Sequence, residues 1–407
     1  MGIYKDYVTK SFAPGQLDAE RKEQLRRIGQ LRNSAVLLYA ARMGFTGVPL
    51  PISILQEDVL PFYDAVSGLS GSRVSVIIET PGGDGDAARR MVELLRARFD
   101  YVEFIIPGMA MSAGTIMALG GNEILMGPAS ALGPIDAQLI SDGKQFSADA
   151  LIDGFERIKE EVAEKKELNL AWVPILQRIS PGELQHAQHA LEFAKETVTN
   201  WLCAHKFRDW KTHSSTGEPV TDTERRSRAR EIADTLASQR RWRTHSRSLS
   251  IADLTALRLK IIDYSADADL NDAIQRHYAL LRITFDSSYI FKLFETPDST
   301  FAKNFQIAAP QPTPGPIPPL PPPSPEQPSS ASPQSALLDV RCAQCGANTR
   351  VQLDFAPEMQ KDPGAVRFPN SGMLSCPGCG RELNLAPARA DAERQVGRPA
   401  LNPQPEE

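Results

Sequence analysis

Two small-residue turns hold the side chains and N–H groups that could do covalent chemistry. They are "TPGG" at 80–83 and "MAMSAGT" at 109–115, and each closes an apolar, β-branched run. A nucleophilic serine needs a presented hydroxyl, a base, and donors for the oxyanion of a tetrahedral intermediate. Ser112 lies where a strand would turn into a helix, so the bend would present its Oγ and Ala113 would supply the following N–H. Gly114 would allow close approach. The second donor has to come from a neighbouring strand end. Pro81 and the two glycines after it would turn the backbone so that an N–H near Gly83 faces Ser112. On chemistry alone, Ser112 as a plain helix N-cap is an open alternative. A phosphate loop is disfavoured, because "GGDGD" is not Gly-x-x-x-x-Gly-Lys-Ser/Thr and its aspartates would repel phosphate.

A second constellation lies near the other end of the chain. Of five cysteines, four form the pairs Cys342/Cys345 and Cys376/Cys379, each a Cys-x-x-Cys followed by glycine. Two such knuckles suit one tetrahedral Zn2+, in preference to disulfides or a redox pair. Four thiolates leave no open position for water, so the expected zinc is structural and no cofactor is expected for catalysis. Cys203, in the apolar helical context "NWLCAHKF", reads as a buried thiol.

The elements that must position the first site follow a simple order. "RVSVIIET" (73–80) and "YVEFIIPG" (101–108) read as buried strands, followed by the helices "GDAARRMVELLRARF" and "SAGTIMALGG". Strand, turn, helix repeated implies crossovers and a parallel sheet, with both turns at its C-terminal edge. Residues 17–44 read as helical, including "AVLLYAARMG". Residues 148–166 form a long helix, and another begins at Ser180 with Pro181 at the first position and Glu183 completing a capping box. After the basic stretch "QRRWRTHSR", "SIADLTALRLKIID" reads as a helix and strand returning to the core.

At 407 residues and 42% apolar content, the chain can bury one good core and a smaller module. A net charge of −5 selects no class of partner. There is no apolar run long enough to span a membrane and no secretory core in "MGIYKDYVTKSFAPGQ", so a cytoplasmic protein is expected. The expected organisation is an N-terminal helical extension at 1–30, a catalytic domain at 31–300, and a Pro/Ser-rich linker at 301–336. A zinc ribbon at 337–387 and a disordered tail at 388–407 complete it.

The stretches "IIETPGGDGDAARRMVELLR", "FIIPGMAMSAGTIMALGGNEILMGPASALGPIDAQL" and "ALRLKIID" resemble the serine dehydrogenase proteinase family. That family is related to archaeal membrane-bound and signal-peptide-peptidase serine proteases and to the Clp proteolytic subunit. The resemblance covers residues 20–207, and 242–281 loosely. It implies the α/β Clp/crotonase fold of stacked ββα units with a parallel sheet. Ser112 matches the nucleophile, and Gly83 and Ala113 match the oxyanion donors. It also implies a protein or peptide substrate and a homo-oligomer.

The base is harder to place. The membrane-bound relatives pair the serine with a lysine about forty residues later, desolvated so that it can take the proton. Here that neighbourhood begins its helix with Ala148 and Asp149. Lys144 just before it is the preferred candidate, and Lys159 lies well along the helix. A Clp-type triad needs a histidine soon after the serine's helix, where "ALGPIDAQ" offers Asp136 and no histidine. His245 is a weaker candidate, placed where the family often carries His-Gly, with Ser246 here in place of the glycine. His186 and His189 read as a solvated or interface face. The rival reading is a catalytically inactive scaffold of the same fold whose ribbon binds protein or nucleic acid. In it, the arginines around Trp242 would touch phosphates and bases. Acyl-CoA chemistry, which the crotonase fold also serves, is disfavoured by Met-Ser-Ala-Gly-Thr.

Overall fold

The computed structural model describes residues 2–44, 50–141, 144–213, 216–305, 334–357 and 359–401. The chain divides into two compact units, Met1–Ala309 and Pro310–Glu407. In the first, the strands in chain order are β1 (Ala35–Ala41), β2 (Arg73–Glu79), β3 (Tyr101–Ile106), β4 (Met109–Ala110), β5 (Glu123–Met126) and β6 (Ala131–Leu132). A hairpin of β7 (Gln138–Ser141) and β8 (Lys144–Ser147) follows, then β9 (Ile262–Asp263), β10 (Ile290–Glu295) and β11 (Thr300–Asn304).

Seven of these strands build one sheet in the order β11-β10-β1-β2-β3-β5-β9. Its strands pair in parallel from β1 to β9, while β10 and β11 add an antiparallel edge. Strand residues alternate between two buried faces, which is why these runs read as almost continuously apolar. Leu37, Tyr39, Val74, Val76 and Ile78 pack into one core cluster with the helices Gly85–Arg98 and Ala113–Leu119. Val36, Leu38, Ala40 and Ile77 face the other cluster, with the helices Gln16–Arg32 and Ala268–Ser287. The fold is thus an α/β arrangement with a mixed, mostly parallel sheet.

Several sequence expectations need correction. The stretch 17–44 is not all helix: the helix is Gln16–Arg32, closed by Asn33 at φ 48°, and "AVLLYAA" is β1. Apolar residues on both sides of a short segment suit a two-faced buried strand as well as a helix, and periodicity alone does not separate them. Nor is 1–30 an extension. Leu25 and Ile28 are buried in the core, and the buried Arg21 donates to both carboxylate oxygens of Glu295 on β10, at 2.6 and 2.7 Å. The boundary at 301 falls inside β11, whose pairing with β10 extends the sheet to Asn304. The linker residues 306–333 lie outside the described residues.

In the second unit, a three-stranded sheet (Ser335–Arg341, Asn348–Asp354, Val366–Arg367) and a two-stranded one (Met373–Ser375, Glu382–Asn384) carry the cysteine knuckles. Its small core includes Val351, Leu353, Phe355, Phe368 and Leu385. The expected disordered tail instead begins with a helix, Ala386–Val396, whose Ala392 is buried in that core together with Ala400.

Candidate active site

Ser112 lies one residue, Met111, beyond β4 and directly precedes the helix Ala113–Leu119. Its backbone sits at φ 51° and ψ −117°, a conformation that non-glycine residues rarely adopt. Such strain costs on the order of 1–3 kcal/mol and concentrates at functional sites. Ser112 occupies the N-cap position, yet its side chain accepts no capping hydrogen bond. Among the described residues its Oγ has no hydrogen-bond partner, so the plain N-cap alternative is not what the side chain does. The surroundings hold the bend from below. Thr115 Oγ1 donates to Ala110 O at 2.8 Å and accepts from Gly133 N at 2.9 Å, tying the helix to the turn after β6. A Cβ at Gly114 would meet Thr80 Cγ2 at 2.5 Å, which explains the small residue after Ala113.

The "TPGG" turn lies against this bend. Thr80 forms a parallel bridge with Ala110, through Thr80 N to Met109 O and Met111 N to Thr80 O, both 3.0 Å. On its other side, Ile54 bridges Gly83: Ile54 N donates to Gly82 O (2.7 Å) and Asp84 N to Ile54 O (2.9 Å). These bonds come from the neighbours of Gly83, so its own N–H is not used in the pairing with Ile54. Gly83 is exposed and has φ 145°. Gly82, at φ 95°, is packed so closely that a Cβ would sit 2.6 Å from Ser112 Cβ and 3.2 Å from Ala113 N. The two turns are therefore in direct contact.

His245 and Asp136 meet, although 109 positions separate them. The Nδ1 of His245 lies 2.7 Å from Asp136 Oδ1. Asp136 is 1% exposed, and its other oxygen accepts from Gln138 Nε2 at 2.7 Å. The strand pairing explains the encounter. β4, which runs into Ser112, pairs with β6, and Leu132 of β6 pairs with Leu249 through two bonds of 3.1 and 2.8 Å. The segment bearing His245 is thereby laid beside the one bearing Asp136, and the ladder that does so includes β4, the strand before the serine turn. If Nδ1 carries the proton and donates to the carboxylate, Nε2 is left with a lone pair. Among the described residues nothing hydrogen-bonds to that Nε2. Sequence reading named both residues but had no signal that pairs them.

The other candidates fall elsewhere. The side chain of Lys144 lies outside the described residues; its backbone is in β8. Lys159 is exposed and paired with Glu156. His186 and His189 are exposed on the helix Pro181–Trp201, which does open with the Ser180–Glu183 capping box. Trp242 packs against the main core and donates to Thr235 O at 2.7 Å, so it is no free stacking platform. Burial raises the thiol pKa of the half-buried Cys203. One buried acid went unnoticed in the sequence. Glu79, at the end of β2, accepts from Met109 N (3.1 Å) and Tyr278 OH (3.0 Å). Burial raises its carboxyl to about 7, against the lowering effect of those two donors.

In the second unit the four sulfurs of Cys342, Cys345, Cys376 and Cys379 lie within 4.8 Å of one another. Cys342–Cys379 is 3.7 Å and Cys345–Cys376 is 3.5 Å, both too long for a disulfide. Bonds of about 2.3 Å to a tetrahedral zinc would put sulfurs roughly 3.8 Å apart, so the donor set fits a metal ion of that kind.

Comparison with known proteins agrees with the motifs. A family model described as ClpP-like SDH-type serine proteinase matches residues 8–180, the segment that contains both turns and Asp136. An uncharacterized protein of Methanocaldococcus jannaschii is 32% identical over 160 residues, covering 38% of this chain and 54% of the relative. A second uncharacterized protein of that organism is 28% identical over 150 residues, covering 36% and 50%. The chain therefore spans about half the length of the curated relatives it matches. Among solved structures, a mutant of the 1510-N membrane-bound stomatin-specific protease in complex with a substrate peptide aligns at 24% identity. That alignment covers 33% of this chain and 62% of that one, with a TM-score of 0.23. ClpP1 from Listeria monocytogenes aligns at 18% identity, covering 39% and 89%, with a TM-score of 0.21.

Proposed function

We propose that the chain is a serine endopeptidase in which Ser112 is the nucleophile, His245 its base, and Asp136 the carboxylate that orients His245. The observation that carries this reading is the 2.7 Å contact of His245 Nδ1 with Asp136, set by strand pairing beside the strained Ser112 turn. Ser112 Oγ attacks the scissile carbonyl carbon while His245 Nε2 takes its proton, and the N–H groups of Gly83 and Ala113 receive the oxyanion. The imidazolium then gives its proton to the departing amine. A water, deprotonated by His245, releases the acyl group and restores the serine. A positioned base contributes roughly 10²–10⁴-fold, and loss of one oxyanion donor costs about 10²–10³ in kcat. Asp136 keeps the productive tautomer and stabilises the imidazolium without taking the proton. This assignment moves the base from Lys144 to His245, which has the buried carboxylate of Asp136 behind it.

The substrate class is protein or peptide, and assembly into a homo-oligomer is part of the reading. The cysteine cluster holds a structural Zn2+ whose closed thiolate set takes no part in hydrolysis, and the ribbon recruits a protein partner or substrate. The test is digestion of a complex peptide mixture by the purified full chain, read by mass spectrometry. New termini are expected with the wild type and not with Ser112→Ala. Equal digestion by both proteins would overturn the assignment.

A further inference from the structure

We propose that Lys292 and Asp58 are positioning residues for the oxyanion turn, acting through the backbone of 53–55. The proposal rests on the reading of Gly83 N–H as an oxyanion donor. Both side chains are completely buried, and the Lys292 ammonium lies 2.6 Å from Asp58 Oδ2. Each also grips one neighbour of Ile54. Lys292 Nζ donates to Ser53 O at 2.5 Å, and Leu55 N donates to Asp58 Oδ2 at 3.0 Å. Along an extended segment these two backbone groups point to one side, and the N–H and C=O of Ile54 point to the other. On that other side Ile54 makes the two bonds that bracket Gly83. The ion pair therefore takes the place of a further strand, and the chain of contact runs from Lys292 and Asp58 through 53–55 to Gly83.

At the far end the two backbones are in close contact: a Cβ on Gly83 would lie 2.4 Å from Ile54 O and 2.5 Å from Ile54 N, so only glycine fits beside Ile54. The two bonds from Ile54 to Gly82 and Asp84 carry a shift of Ile54 to the turn. At the near end Asp58 is held by Tyr39 OH (3.0 Å) and by Lys303 Nζ (2.7 Å), and Lys292 is held in β10, where it pairs with Ala41 at the end of β1. Burying two charges is expensive, and a packed apolar pair often serves stability as well or better. A pair that fastens an irregular segment by its backbone has a use that apolar side chains cannot supply. Oxyanion donors work only when aimed at the developing charge, and a displacement of about 1 Å at a reacting centre can lose roughly 10²-fold in rate.

The experiment compares wild type, Lys292→Met and Asp58→Asn as full chains, by amide hydrogen exchange and by peptide kinetics. In Lys292→Met, exchange at the Ile54 and Asp84 amides should rise about tenfold or more, while Ile77 in β2 and Ile105 in β3 keep their protection. With the same protein kcat should fall roughly 10- to 100-fold and KM should stay within about threefold, a split that loss of general stability does not produce. If Lys292→Met does not fold, Asp58→Asn reports the same two quantities. A folded variant with unchanged exchange at Ile54 and Asp84, or with wild-type kcat, would overturn the proposal. If those amides loosen but the wild type itself hydrolyses nothing, the clamp stands and the endopeptidase reading is what fails.

Discussion

The Nδ1 of His245 and a carboxylate oxygen of Asp136 lie 2.7 Å apart, although the residues belong to segments separated by more than a hundred positions. The ladder beside them runs from β4 to β6 to Leu249, so the strand before the serine turn and the segments leading to the acid and the histidine share one set of backbone bonds. Replacing Asp136 by asparagine keeps the shape and removes the charge, which lets the imidazole settle in the wrong tautomer. Asp136→Asn is expected to lower kcat on the order of 10³–10⁴-fold with little change in KM. Lys144→Ala, measured beside it, should stay within about threefold of wild type. The opposite ranking would return the base to Lys144.

How much of this could be read in the sequence depends on distance along the chain. The two turns were legible because each is local: a β-branched run, a proline or glycine bend, then a helix start. The cysteine cluster was legible for the same reason. The pairing of Asp136 with His245 was not, because it depends on β6 meeting Leu249 and no pattern in either segment announces that contact. The misreading of "AVLLYAA" has another cause. A strand buried on both faces loses the alternation that identifies strands, and its alanines and leucines also favour helix. Lys292 stayed invisible because a lysine in a strand suggests an exposed face, whereas here it is wholly buried against Asp58.

Gly82 should tolerate no side chain. At φ 95° a Cβ would stand 2.6 Å from both Met111 O and Ser112 Cβ. Gly82→Ala therefore has to displace the nucleophile's own backbone. We expect a loss of about 10²-fold or more in kcat, with destabilisation on the order of 1–3 kcal/mol. Steady-state kinetics and urea denaturation measure the two effects, and a fully active, equally stable Gly82→Ala would show that the two turns are not in contact.

Glu79 links stability to pH. Its folded pKa is raised to about 7 by burial, so the protonated carboxyl is the form that suits the fold. That contribution is fully present below the ordinary value near 4.5 and is lost as pH rises through about 7. Glu79→Gln mimics the protonated form, and its stability relative to wild type should increase between pH 5 and pH 8. The gain at the upper end is up to about 3 kcal/mol. Urea unfolding of both proteins across that range gives the comparison, and parallel pH curves would contradict it.

Metal loss and catalysis should separate. Stripping zinc with a chelator, or Cys376→Ser, is expected to lower the melting temperature of the second unit and release metal measurable by mass spectrometry. Hydrolysis of a short peptide should be unaffected. A parallel loss of peptide hydrolysis would place the metal in the catalytic machinery and contradict the closed four-thiolate reading.

The rate of covalent labelling by a fluorophosphonate tests the central claim most directly, because phosphonylation requires an activated serine and donors for the phosphonyl oxygen but no particular peptide. The wild-type chain should be labelled on a peptide containing Ser112, Ser112→Ala should not be labelled at all, and His245→Ala should react at least about 10²-fold more slowly. A wild-type chain that is not labelled, or one labelled as fast after loss of His245, would contradict the account.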